Sequence, residues 1–246
     1  MPFFSVITIN LNNREGLERT IQSIRAQHFK DFEYIVVDGQ STDGSLDVIA
    51  LNEAYITRKI IGKDTGVYHA MNKGLKEATG EYIVFLNSGD EFKHSEVLNK
   101  IFEKNGQKDL VYCDVEVFQE KKSRISVHPN VLTTRFLLTG MICHQAIFAR
   151  RRLFELTGPF SEEYKVYGDY EWLLRAVIKH GATVRHIARV LVRYEEVGLS
   201  NTTDKQTQRA EKDRIHSQYF SPLLLRIYRA YRWLNDWKNN YFDHRD

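Results

Sequence analysis

The chain has 246 residues, with 35 Lys and Arg against 32 Asp and Glu and a formal net charge of +3. Hydrophobic residues at 42% and charged residues at 27% are ordinary for a globular protein and exclude dominant disorder, while 14 Gly and 4 Pro exclude collagen-like and Pro-rich chains. Two cysteines, Cys113 and Cys143, are too few for a disulfide scaffold or a structural zinc site and fit a reducing compartment.

The near balance of charge does not mark a nucleic-acid binder, and none is expected as a partner. No apolar run reaches the length of about 18 residues that a membrane-spanning helix needs. The first ten residues lack the basic start and apolar core of a signal peptide. The expected location is the cytoplasm.

In chain order, Phe3–Asn10 reads as a buried strand, and Glu15–Ala26 as a helix with Leu17, Ile21 and Ile24 at helical spacing. Glu33–Asp38 is a second strand, followed by a helix over Ser45–Ala54 with Ser45 as its expected cap. Arg58–Gly62 is a short third strand. Val67–Ala78 is a third helix, expected to stop at Gly80. Glu81–Leu86 is a fourth strand and Ser95–Glu103 a fourth helix. This alternation predicts an α/β fold with a mostly parallel sheet covered by helices on both faces. Ligands of such sheets bind beyond the carboxyl ends of the strands, which directs attention to Asn10 and Asn12, Asp38–Asp43, Lys63 and Asp64, and Asn87–Asp90.

The second half is less regular. Leu110–Gln119 and Ser123–Val127 read as strands around a charged turn, Val131–Thr139 is ambiguous between helix and strand, and Ala146–Ala149 and Arg151–Leu156 read as a strand and a short helix. Tyr170–His180 is a helix with Trp172, Leu173, Ala176 and Val177 inward, and Thr183–Tyr194 is a strand. From Asp204 the pattern is helical, broken at Ser221-Pro222. The expected organisation is a catalytic domain over 1–202, with a nucleotide-binding part near 1–105 and an acceptor-side part near 106–202. A helical extension over 203–246 follows.

The chain has no Gly-x-Gly, no Gly-Lys-Ser/Thr, no His-x-x-x-His, no Cys-x-x-Cys and no Gly-x-Ser-x-Gly, so a nucleotide is not held by a glycine-rich cradle. The other strategy for a diphosphate is a divalent cation held by a carboxylate at a strand end. Phe85-Leu86-Asn87-Ser88-Gly89-Asp90 offers one, although Asn, Ser, Gly and Asp are also ordinary turn residues. Asp38, closing a hydrophobic strand, is placed to accept the N3–H of a uracil, and a turn with a helix cap explains it equally well.

Four ordered segments carry a resemblance: Ser-Val-Ile-Thr-Ile-Asn-Leu-Asn-Asn over 5–13, Val-Asp-Gly-Gln-Ser-Thr-Asp-Gly-Ser over 37–45, Asp-Thr-Gly-Val-Tyr-His-Ala-Met-Asn-Lys-Gly over 64–74, and Ala-Thr-Gly-Glu-Tyr-Ile-Val-Phe-Leu-Asn-Ser-Gly-Asp over 78–90. Together they resemble family 2 glycosyltransferases of bacterial exopolysaccharide, capsule and O-antigen assembly. The resemblance implies a GT-A fold, a nucleotide-diphosphate sugar donor (a UDP-sugar first) and inversion at the anomeric carbon. It implies nucleotide contacts from Asn10, Asn12, Asp38, Asp64 and Asn72, and Mn²⁺ or Mg²⁺ at Asp90, the last carboxylate of an Asp-x-Asp-like motif whose earlier positions are Asn87 and Gly89. The common pair of adjacent Asp appears here as Asp38-Gly39.

An inverting transfer needs a carboxylate to take the proton of the attacking hydroxyl. The segment Gly168-Asp169-Tyr170-Glu171-Trp172-Leu173-Leu174-Arg175 resembles the family's Glu-Asp region. It implies Asp169 as the base, with Gly168 in place of the common Glu and Glu171 as fallback. Asn87, Ser88, His144, Glu171 and Trp172 are the implied donor or acceptor contacts. The loop Tyr194–Ser200 resembles one that closes over the donor, with Val197-Gly198 in place of a Gly-Gly pair. A helix over 221–241 places Leu223, Ile227, Ala230, Leu234 and Trp237 along one side and Arg226, Arg229 and Arg232 along another. It is read either as a packing helix or as a peripheral contact with the inner face of the plasma membrane, where a lipid-linked saccharide acceptor would lie. A sugar-1-phosphate nucleotidyltransferase is disfavoured because Asn10-Leu11-Asn12-Asn13-Arg14 is not a Gly-rich basic loop. A non-catalytic sugar-nucleotide binder in an assembly complex remains the other alternative.

Overall fold

A computed structural model describes residues 1–119, 122–195 and 203–231. The chain divides into two units, Met1–Thr203 and Asp204–Asp246. In the first unit the strands are β1 (Phe4–Asn10), β2 (Phe32–Asp38), β3 (Arg58–Ile61), β4 (Tyr82–Phe85), β5 (Glu91–Phe92), β6 (Leu110–Gln119), β7 (Lys122–Ser126), β8 (Ile147–Arg150) and β9 (Val184–Glu195). Its helices are α1 (Arg14–Arg25), α2 (Ser45–Leu51), α3 (Val67–Glu77), α4 (Val97–Lys104), α5 (Thr134–Thr139), α6 (Arg151–Thr157) and α7 (Gly168–Leu174).

The sheet runs β3-β2-β1-β4-β8-β6-β9-β5, with β7 added beside β6. β3, β2, β1 and β4 are parallel, joined by α1, α2 and α3. Continuous apolar runs explain the core: every residue of β1 is buried, and Tyr34, Ile35, Val36 and Val37 of β2 are at most 1% exposed. β8 then inserts antiparallel between β4 and β6, so the second half of the sheet is mixed. The first-half alternation therefore holds, while the parallel arrangement does not extend through the whole sheet. In the later half β6 and β9 pair in parallel, with α5, α6 and α7 in the connection between them, while the short β5, β7 and β8 pair antiparallel.

Several local expectations are corrected. Ser45 is the first residue of α2 rather than its cap; the Asp43 carboxylate accepts from Ser45 N at 3.0 Å and from its hydroxyl at 2.6 Å. The ambiguous 131–139 segment forms α5, with the Thr133 hydroxyl accepting from Phe136 N. The helix expected over 170–180 starts at Gly168 and loosens into a π-helical turn over Arg175–Lys179. α3 ends at Glu77, with Ala78 already extended. Gly80 has another role: a Cβ there would lie 2.6 Å from Phe4 C and from Ser5 N, so glycine allows β4 to enter against the backbone of β1.

The second unit contains the helix Lys205–Tyr219, whose N-terminus is capped by the Asp204 carboxylate on Thr207 N, and a further helical stretch over 222–231. The Val197-Gly198 segment and Arg232, Leu234 and Trp237 of the tail fall outside the described residues. Among the described residues no helix is long and apolar enough to cross a membrane.

Candidate active site

The parallel register aligns Asn10, Asp38 and Ile61 at one edge of the sheet, with the Asn87–Asp90 turn beside them after β4. Asp38 is fully buried. Its Oδ2 accepts from Asn10 Nδ2 at 2.7 Å and from the Ser41 hydroxyl at 2.8 Å, and its Oδ1 accepts from Ser41 N at 2.7 Å. Asn12 completes this latch: its N–H donates to Ser41 Oγ at 2.8 Å, and its Oδ1 accepts from Thr42 N at 2.8 Å. Asn10, Asn12 and Asp38 thus tie the loops after β1 and β2 to each other. Three chain donors occupy the Asp38 carboxylate, two on Oδ2 and one on Oδ1.

Asp64 is the carboxylate that reaches the surface of this edge. Its Oδ1 lies 2.7 Å from Lys73 Nζ, which also donates to Gly62 O at 2.8 Å. Its Oδ2 faces Gly39: a Cβ on Gly39 would lie 3.1 Å from that oxygen and 3.1 Å from Leu11 Cδ1. The glycine at the second position of the Asp38-Gly39 pair therefore leaves room for Asp64. Asn72, expected at the nucleotide, is instead a clamp on the chain after α6. It donates to Phe160 O at 2.9 Å and to Glu162 Oε1 at 2.9 Å, and accepts from Phe160 N at 3.0 Å.

The second cluster surrounds Asp169, on the first turn of α7 and 8% exposed. Its Oδ2 lies 3.0 Å from His144 Nδ1, and its Oδ1 lies 3.1 Å from the Tyr68 hydroxyl. The other ring nitrogen of His144 lies 3.0 Å from Asn87 Nδ2. The network that satisfies all three groups has the His144 Nδ1–H donating to Asp169 and Nε2 accepting from Asn87. His144 belongs to a 3-10 turn, His144–Ala146, entering β8. The next residue, Gln145, is buried with its side chain beside the Asp90 carboxylate, where it favours the charged form. One turn thereby links Asp169 to the Asn87–Asp90 loop.

Asp90 is 3% exposed. Burial pushes its carboxyl up to about 7, against the opposing influence of His144, the Gln145 side chain and the backbone N–H groups of Asn87 and Glu195. Beside it, Asn87 Oδ1 is buried without a hydrogen-bond partner. A buried carboxylate short of compensating charge and an orphaned amide oxygen on one turn fit a hard, oxygen-seeking divalent cation. Among the described residues no three His, Cys, Asp or Glu side chains converge there; Glu195 is the neighbouring carboxylate, its Oε2 2.9 Å from where a Gly89 Cβ would lie and paired with Arg19 at 2.8 Å. Ser88 contributes main chain to the turn, its carbonyl accepting from Asn13 Nδ2 at 2.9 Å and its N–H donating to Ile9 O at 3.0 Å.

Two expected contact residues are buried. Trp172 is 2% exposed, stacked on Phe154 at 4.3 Å between ring centroids, with Nε1–H on Thr157 Oγ1 at 3.0 Å. Glu171 is 5% exposed and paired with Arg175 at 3.0 Å, one helical turn on. Trp172 packs α7 against α6 and lines a small cavity with Asp169 and His144, while Glu171 is paired along its own helical run. Conversely, Lys73 escaped the sequence reading. Lys73 sits within the quoted 64–74 segment at a spacing that brings it back over Asp64.

A curled, mixed sheet whose parallel half presents carboxylates at its strand ends, flanked by helices, is a GT-A-type fold. The chain belongs to glycosyl transferase family 2, whose sequence pattern matches residues 5–167. It is 37% identical over 213 residues to the PGL/p-HBAD biosynthesis glycosyltransferase of Mycobacterium tuberculosis (strain H37Ra), covering 83% of this chain and 82% of that one. The putative teichuronic acid biosynthesis glycosyltransferase TuaG of Bacillus subtilis (strain 168) is 37% identical over 95 residues, covering 37% and 38%. Among solved structures, S. aureus TarS 1-349 in complex with UDP-GlcNAc superposes with a TM-score of 0.70 at 20% identity, covering 89% of this chain and 71% of that one. Ligand-free TarS 1-349 gives 0.67 at 22% identity, and this chain spans only 60% of its length. The mannosyltransferase PcManGT of Pyrobaculum calidifontis, solved with GDP-Man and Mn²⁺, gives 0.61 at 19% identity, covering 78% and 56%.

Proposed function

We propose that this glycosyltransferase inverts the anomeric centre of a UDP-sugar while transferring it to a hydroxyl of a saccharide or lipid-linked saccharide in surface polysaccharide or glycolipid assembly. The observation that carries the reading is His144, which meets Asp169 with one ring nitrogen and Asn87 of the Asp90 turn with the other, 3.0 Å each. A proton acceptor and a diphosphate-side carboxylate are thereby fixed relative to one another, as a single-displacement transfer requires.

In this mechanism the acceptor oxygen attacks the anomeric carbon, the bond from that carbon to the diphosphate oxygen breaks, and the hydroxyl proton passes to Asp169. His144 holds the Asp169 carboxylate from its far oxygen. Asp64, restrained by Lys73, contacts the nucleoside, with Leu11 beside it, while Asn10, Asn12 and Asp38 hold the loops that shape that pocket. Asp90 would hold Mn²⁺ or Mg²⁺, which when bound neutralises charge on the leaving diphosphate. The domain over 1–202 would carry all of these groups.

The UDP assignment is supported by the fold shared with TarS, which is solved with UDP and with UDP-GlcNAc. A lipid-linked acceptor at the cytoplasmic face of a membrane is supported by the helical stretch over 222–231. Leu223, Ile227 and Tyr231 are 68%, 59% and 50% exposed there at intervals of one turn, with exposed Arg226 and Arg229 alongside.

Calorimetric titration with UDP, GDP and dTDP, each with and without Mn²⁺, tests the donor site. Mn²⁺-dependent binding of UDP that Asp90→Ala abolishes supports it. Binding of none of the three, or equal binding after Asp90→Ala, overturns it. Asp169→Asn is expected to abolish transfer while leaving UDP affinity intact; a variant that still turns over at the wild-type rate removes Asp169 as the base.

A further inference from the structure

Tyr68 lies on the first turn of α3 and is 5% exposed. Its ring lies flat against Gly168. A Cβ built on that glycine would come within 2.7 Å of Cε2, 2.8 Å of Cδ2 and 2.9 Å of Cζ, all closer than a side-chain carbon tolerates. The phenol hydroxyl has two acceptors within reach, Val166 O at 2.6 Å and Asp169 Oδ1 at 3.1 Å, and shares its one proton between them; Oδ1 also accepts from Tyr170 N at 2.8 Å. The backbone N–H groups of Gly168 and Asp169 in turn face the phenol oxygen.

α7 begins without any side-chain cap of its own. The first N–H groups of a helix have no partner within it, and here the phenol of a different helix meets them. The same oxygen sits against the carboxylate that α7 presents. His144 approaches that carboxylate from its other oxygen, so Asp169 is held between two side chains contributed by separate elements.

We propose that Tyr68 is a positioning residue for Asp169: its ring seats on Gly168, and its hydroxyl fixes both the start of α7 and the Oδ1 side of the carboxylate. This rests on Asp169 being the general base. It accounts for glycine at position 168, where any side chain would displace the ring. It also separates two roles of one aromatic residue, since the ring sets the packing and the hydroxyl sets the aim of the base.

The test compares Tyr68→Phe, Asp169→Asn and the double variant, each confirmed folded by circular dichroism, in a transfer assay with donor and acceptor saturating. Tyr68→Phe keeps the ring on Gly168 and removes only the hydroxyl. It is expected to lower kcat about tenfold to a hundredfold, the scale of a misaimed reacting group, with donor KM and UDP affinity unchanged. In the Asp169→Asn background it is expected to cause no further loss, because its effect passes through that carboxylate. A Tyr68→Phe enzyme with wild-type kcat, beside an inactive Asp169→Asn, overturns the proposal and leaves the base intact. An active Asp169→Asn overturns the base itself. A loss seen in donor KM rather than kcat, or one that multiplies with Asp169→Asn, makes Tyr68 a packing residue only.

Discussion

His144 Nδ1 stands 3.0 Å from Asp169 Oδ2, joining a turn before β8 to the first turn of α7 across 25 residues of chain. The hydrogen bond uses one face of the imidazole, and Asn87 Nδ2 meets the other at 3.0 Å. His144→Ala should therefore disturb the aim of Asp169 without touching the nucleoside end of the site. The expected outcome is a fall in kcat of about tenfold to a hundredfold with little change in UDP affinity. Steady-state kinetics with parallel calorimetry decide this; a variant that loses UDP affinity and keeps kcat would place His144 on the donor instead.

Gly39 and Asp64 present a second close relationship, with Asp64 Oδ2 3.1 Å from where a Gly39 Cβ would lie. Both neighbours of that point, Asp64 and Leu11, are side chains able to give by a few tenths of an ångström, so Gly39→Ala should bind UDP nearly as well as the wild type. Gly39→Asp brings a second negative charge against Asp64 and is expected to weaken UDP binding about tenfold, ~1.4 kcal/mol. Because the added effect is electrostatic and close to the surface, raising the salt concentration should narrow the gap between the two variants. A gap that does not respond to salt would indicate a steric effect.

The parallel half of the sheet was legible because β1, β2 and β4 are largely apolar runs that stop at polar residues, and its helices repeat at 3.6-residue spacing. Asp169, His144 and Asp90 were legible as chemistry-bearing types, and their convergence was not. It depends on β8 inserting antiparallel between β4 and β6, which no local pattern announces. The chain partners of Asp38 and Asn72 were hidden for a related reason. A polar residue at a strand end or on a helix reads the same whether it faces a ligand or latches a neighbouring loop, and only the fold brings in the Ser41 and Phe160 partners. Trp172 was already placed inward by its helical spacing, and its stacking on Phe154 agrees with that placement.

Glu33 illustrates a buried carboxylate that serves the fold alone. It is 6% exposed at the start of β2. Burial pushes its carboxyl up, but hydrogen bonds from Ser5 Oγ, from Thr79 N and Oγ1 and from Gly80 N outweigh burial and hold it below the ordinary glutamate value. A carboxyl lowered in the folded state stabilises fully above its unfolded value of about 4.3, and that contribution is lost as pH falls through the folded value. Glu33→Gln is expected to cost about 1–3 kcal/mol at pH 7. The difference from wild type should shrink as the pH is lowered below about 4. Urea denaturation at a series of pH values checks the sign, and a difference that grows toward low pH would contradict it.

Gly80, one of the donors to Glu33, carries a steric requirement as well. Its missing Cβ would overlap Phe4 C and Ser5 N at 2.6 Å each and Ser5 Oγ at 2.7 Å. Two of these three atoms are main chain inside β1, which is paired on both sides by β2 and β4 and cannot retreat. Gly80→Ala must therefore push β4 away from β1 or bend its entry, and it would also weaken the donation from Gly80 N to Glu33. The expected cost is about 1–3 kcal/mol, the range for overpacking a well-filled site. That cost should appear in the denaturation midpoint. The Asn87–Asp90 turn follows β4 directly, so the same displacement should also lower UDP affinity in the folded variant. Midpoint and affinity falling together would show that the entry of β4 sets the position of that turn; a lower midpoint with unchanged affinity would show that the turn is held independently by its bonds to Asn13 and Thr20.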